Sequence, residues 1–213
     1  MNLIYQLIYT LPAVLIAISM HEFAHGYASY KLGDPTPKAM GRLSVNPLAH
    51  LDPVGALALM IFHFGWAKPV GVNPYYYKDR KEGMVIVALA GPIMNFLIAF
   101  ISIFLMGFIL KITGGYGGGF IIYVFNFLNY LFLINIGLGV FNLIPVPPLD
   151  GSKVLGAILP EDQYFGYMKY ERYGMGILMG LLYFGILEVP LNIVRNGLSD
   201  VMWIVVNFIF RLS

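Results

Sequence analysis

The sequence predicts an α-helical polytopic membrane protein with about five to six hydrophobic segments in one membrane-embedded domain. Three observations carry this expectation. Of 213 residues, 59% are hydrophobic and only 11% charged, against about 25% charged in an ordinary soluble domain. The mean hydropathy is +0.75. Several uncharged runs reach the roughly 18 to 20 residues that cross a hydrocarbon core. The net charge of +2 is too small to argue for nucleic acid, and a chain without cysteine has no disulfide or thiolate chemistry.

The first segment runs from about Asn2 to Tyr30, and MNLIYQLIYTLPAVLIAISM holds no charged side chain. It lacks a basic n-region and an A-x-A-like cleavage site, so it reads as a retained span rather than a signal peptide. Lys31 and the turn signal Gly33-Asp34-Pro35 end it. A polar, turn-rich stretch follows. Residues 54–64, VGALALMIFHF, are too few to cross as a helix and fit a re-entrant or interfacial element. Residues 65–83 read as extended structure and turns, with Val70 to Val72 as a short edge strand. Met84 to Leu110 is the clearest span. The connector TGGYGGG precedes a second, Phe120 to Val140. That span runs into FNLIPVPPLDG, where Pro145, Pro147 and Pro148 must interrupt a helix. Residues 153–172 are partly polar. Tyr173 to Val194 is a further span, containing Glu188 and Pro190, and Gly197 to Phe210 is a last short apolar piece. The domain divides into a core of about 1–155 and C-terminal helices of about 156–213.

Basic residues set the expected orientation. Lys31, Lys38, Arg42, Lys68, Lys78, Arg80 and Lys81 all lie between the first span and the one starting at Met84. The glycine connector offers only Lys111, and Lys169 and Arg172 follow the next span. Residues 31–83 and 153–172 are therefore expected in the cytoplasm, with the N-terminus and the connector outside.

HEFAH, residues His21 to His25, closes the first span. On a helix the two histidines are four apart and share one face, so their rings can converge on one ion. Glu22 can reach over that ion and hold its water. This is the H-E-x-x-H pattern, with the glutamate as general base. Such patterns also arise by chance on solvated helices. In lipid, however, one ionisable residue costs roughly 2.5–3.5 kcal/mol, and three together favour metal binding. A catalytic zinc keeps three protein ligands and one open position. Asp150, at the proline-rich break, is the best third candidate; it equally fits a plain turn or helix cap. His50 and His63 read as structural or interfacial histidines. In GPIMN, Gly91-Pro92 permits a kink or close helix approach. Asn95 and likewise Asn142 either hold substrate or an oxyanion or join helices.

HEFAH, GPIMN and NLIPVPPLDG stand in this order in a membrane protein. Together they resemble the site-2 protease family of intramembrane zinc metalloproteases, over roughly residues 15–155. GDPTPKAMGRLSVNPLAHLDPVG is similar to its short subgroup without PDZ or CBS domains. The resemblance implies one zinc per chain on His21, His25 and Asp150, with Glu22 as general base. It makes Asn95 and Asn142 candidates for holding substrate. It implies a transmembrane protein or peptide as substrate, a lipid bilayer as setting, and a prokaryotic plasma membrane as location. No PDZ-sized insert is present to select substrates. Two other classes compete. A gluzincin-like membrane protease would take a glutamate as third ligand, from Glu161, Glu171 or Glu188. A metal transporter or scaffold would spread ionisable residues over several spans.

Overall fold

The computed structural model describes residues 3–52, 55, 68–160, 163, 167 and 171–212. The chain is helical wherever its apolar runs are long. Helix α1, Leu3–Lys31, passes through Pro12 without ending. It stops in a Schellman motif. The Asp34 N–H donates to the Ser29 carbonyl and the Gly33 N–H to Tyr30, each at 3.1 Å, with Gly33 at φ +100°. A positive φ at this place is what glycine provides. A short helix α2, Thr36–Ala39, follows, then a 3-10 turn, Pro47–Ala49, capped by the Asn46 side chain. A second 3-10 turn, Pro74–Tyr76, is capped by Asn73.

The longest helix, α3, is Arg80–Thr113. Asp79 caps its start, its Oδ1 accepting from the Glu82 N–H at 2.9 Å. Helix α4, Gly119–Asn142, carries no charged side chain. The three prolines then hold residues 143–149 out of a helix, as expected, and α5, Asp150–Ile158, begins directly after them. Helices α6, Glu171–Tyr183, and α7, Glu188–Phe210, complete the chain.

Among the described residues four helices are long and apolar enough to cross a membrane, the described part of α1 and all of α3, α4 and α7. Of the expected five to six hydrophobic segments, these four are found as candidate spans. The expected span from Tyr173 to Val194 is broken at residues 184–187, where Gly185 takes φ +67°. Glu188 and Pro190 fall in the first turn of α7, where a proline has no helical partner to lose. The helix from there to Phe210 is a full-length candidate span. The expected strand at Val70 to Val72 is also corrected. Residues 68–73 are coil, and no strand occurs among the described residues. Pro69 has no N–H to donate, and the N–H groups of Val70 and Asn73 go to the carboxylates of Glu22 and Asp34. The expected re-entrant element at 54–64, with His63, lies outside the described residues.

The chain forms two compact units, whose boundaries fall inside α1, α3 and α6 and at the end of α4. The first comprises 1–17, 95–142 and 176–213. Its core is Ala99, Ile103, Phe132, Ile136 and Val206, from α3, α4 and α7, with Phe96, Phe104 and Trp203 packed around it. Tyr9 stacks on Tyr130 with ring centres 5.6 Å apart. The second unit comprises 18–94 and 143–175. It holds the C-terminal half of α1, the loops before α3, the first part of α3, and α5. All three members of the histidine–aspartate cluster belong to it.

Candidate metal centre

His21 and His25 are one helical turn apart on α1, with their ring centres 4.5 Å apart and the rings edge to face. Their Nε2 atoms are 3.0 Å apart. Asp150, the first residue of α5, places Oδ2 at 3.1 Å from His21 Nε2 and 3.0 Å from His25 Nε2. All three side chains are buried. The proline break therefore does for Asp150 what a regular helix could not. It ends α4 and starts α5 with a carboxylate facing the histidine pair.

The atoms around the cluster fix its chemistry. His25 Nδ1 lies 2.6 Å from the Val87 carbonyl on α3. A carbonyl only accepts, so Nδ1 carries the proton and the Nε2 lone pair is left to face the cluster. Asp150 Oδ1 accepts from Lys153 Nζ at 3.3 Å, which turns the other oxygen toward the histidines. Burial opposes the charge on Asp150, but its contacts with His21, His25 and Lys153 hold the carboxyl well below the usual carboxylate range.

Gly91 on α3 supplies the room. A side-chain carbon there would lie 2.6 and 2.7 Å from Cε1 and Nε2 of His21 and would collide with His25 Nε2. Two imidazoles and a carboxylate with converging donor atoms form a cation site. A tetrahedral zinc with bonds of about 2.0–2.1 Å sets its donors roughly 3.3 Å apart. The three side chains fit such an ion after opening by a few tenths of an ångström.

Glu22, next to His21 on α1, is half-buried. Its Oε2 accepts from the Val70 N–H at 2.9 Å. Asn95 lies in the other unit. Its Nδ2 donates to the Ala17 carbonyl at 3.1 Å and to Asn135 Oδ1 at 2.9 Å. The Asn142 amide donates one turn back, to Leu138 at 3.0 Å. His50 donates from Nε2 to the Ser44 carbonyl at 2.6 Å, as a structural histidine would. Glu161 lies outside the described residues. Val87, Lys153 and Asn135 escaped the reading of the sequence. Of these only Asn135 left a signal there, as one of four asparagines in a span without charged side chains.

The model of Peptidase family M50 matches residues 117–184, a stretch that contains Asp150 but not His21 to His25. The chain is 36% identical over 177 residues to "Putative zinc metalloprotease YwhC" of Bacillus subtilis strain 168, covering 81% of this chain and 79% of that protein. It is 27% identical over 189 residues to "Zinc metalloprotease MJ0392" of Methanocaldococcus jannaschii, covering 87% of this chain but 45% of that longer protein. It is 25% identical over 174 residues to "Putative zinc metalloprotease Rip2" of Mycolicibacterium smegmatis, covering 79% of this chain and 64% of that one. No solved structure matches the chain.

Proposed function

Because the chain belongs to peptidase family M50, the site-2 protease family, we propose that it is a zinc-dependent intramembrane endopeptidase. It hydrolyses a peptide bond within or beside a transmembrane segment of another membrane protein. The observation that carries this reading is the convergence of His21, His25 and Asp150 within 3.1 Å, with both histidines inside a candidate membrane span.

His21, His25 and Asp150 hold the metal. Bound there, zinc supplies a Lewis acid that polarises a carbonyl and lowers the pKa of water. Val87 keeps the His25 tautomer that leaves Nε2 free, and Lys153 keeps the Asp150 carboxylate turned inward. Glu22 takes the proton from the attacking water and returns it to the departing amine. The Val70 N–H aims its carboxylate. A helical substrate hides its carbonyls in i→i−4 bonds and must unwind locally before attack. Asn95 and Asn142 are left out of the reacting groups, because their amides already serve helix carbonyls and a neighbouring asparagine. The site opens toward the basic, cytoplasmic side, and the bilayer is a prokaryotic plasma membrane. The relatives are bacterial and archaeal proteins.

The test is cleavage of a tagged single-span substrate with an apolar helix of about 20 residues, in detergent with zinc. Wild type is expected to cut within or next to the apolar segment. Glu22→Gln should keep its zinc and lose about 100-fold or more of the rate. Equal cleavage by Glu22→Gln would overturn the assignment of the base. Cleavage confined to soluble loops would overturn the intramembrane part.

A further inference from the structure

The Schellman end of α1 has a second effect. It folds Asp34 back against Ser29, one turn beyond His25, and buries it completely. Asp34 Oδ2 accepts from the Ser29 hydroxyl and from the Asn73 N–H, each at 2.7 Å, and Oδ1 from the Thr36 N–H at 2.9 Å. With its own hydrogen on Asp34, Ser29 Oγ accepts from the Tyr77 hydroxyl at 2.7 Å. The Tyr77 ring is buried and packs over Gly83 at the start of α3. The segment that leads into α3 is thus pinned twice, by its backbone at Asn73 and by its side chain at Tyr77. Three residues before the first pin, the Val70 N–H holds Glu22.

The donors to Asp34 are all neutral. A buried carboxylate served only by neutral donors is costly, and an uncharged residue can close the same turn. What the charge adds is strength in the bonds to its donors, one of which sets the register of the segment that reaches Glu22. We propose that Asp34, with Ser29 and Tyr77, is a positioning device for the Glu22 carboxylate, acting through residues 70–77. This rests on the reading of Glu22 as the base. Asp34 does not touch substrate. It fixes where the Val70 N–H stands, and that N–H fixes the rotamer from which Glu22 works.

The test uses the full, zinc-loaded chain and reads amide hydrogen exchange at Val70 and Asn73. Asp34→Asn is expected to speed exchange at both amides by about tenfold or more, and Glu22→Gln at Val70 alone. On the tagged single-span substrate, Asp34→Asn should lower kcat roughly 10- to 100-fold, with zinc content unchanged and KM within about twofold. If Asp34→Asn does not fold, Tyr77→Phe removes the second pin and should move both readouts in the same direction. Unchanged Val70 protection in the variant that folds overturns the proposal, and so does loosened exchange with an unchanged kcat. A wild type that cuts nothing overturns the proteolytic reading instead, and the exchange pattern still decides whether Asp34 anchors the segment.

Discussion

At Gly91 a missing side chain leaves the space that two imidazole rings occupy. Gly91→Ala puts a methyl group against both rings, with α3 backbone behind it and nowhere to yield. It is expected to cut zinc affinity by about tenfold or more, read by competition with a chelating dye, while the apolar spans stay folded. Asp34 gives a pH dependence. Burial works against its charge, but hydrogen bonds from Thr36, Asn73 and Ser29 prevail and hold its carboxyl below the ordinary 3.8. Its stabilising effect is therefore complete above that value and fades as pH falls through the lower folded-state value. Asp34→Asn should lower the thermal midpoint at neutral pH and flatten the fall of the midpoint below about pH 4. The convergence of His21 and His25 was legible in the sequence because a helix fixes the relation of residues four apart. Asp150 was legible as a candidate, since a carboxylate at a proline break has few other uses in an apolar chain. Val87 and Lys153 were not legible, because a carbonyl and a surface lysine become specific only once α3 and α5 have a place.

Among the elements, the amide pair Asn95 and Asn135 binds α3 to α4, and Asn95 also binds α3 to the first part of α1. Both side chains are fully buried. Asn95→Leu strands the Asn135 Oδ1 and removes the second hydrogen bond from the Ala17 carbonyl, which keeps its helical one, at a cost of about 1 kcal/mol. Adding Asn135→Leu removes one stranded group, so the double variant is expected to be less destabilised than the sum of the singles. Thermal unfolding in one detergent checks this. The three long spans starting at Leu3, Arg80 and Gly119 were legible because apolar length alone identifies them. The break at residues 184–187 was not. Glu188 and Pro190 read as irregularities within a span, whereas they form the first turn of the next helix. The strand expected at Val70 to Val72 failed for a related reason. Alternation can mark a strand, but here the N–H groups of Val70 and Asn73 bond side-chain carboxylates instead of a ladder.

For the whole molecule, we propose from the placement of basic residues that the loop between α3 and α4 faces outside and the segment before α3 faces the cytoplasm. The natural absence of cysteine makes this directly testable. In intact cells a membrane-impermeant maleimide is expected to label Tyr116→Cys, and to label Tyr75→Cys only after permeabilisation; the reverse pattern would invert the topology. The central claim is narrower and lies in the cluster of His21, His25 and Asp150. Elemental analysis of the purified chain, wild type beside Asp150→Ala, tests it most directly. The account predicts about one zinc per wild-type chain and a sharp loss in the variant. Full zinc in Asp150→Ala would move the third ligand elsewhere, and no zinc in wild type purified with zinc supplied would contradict the account.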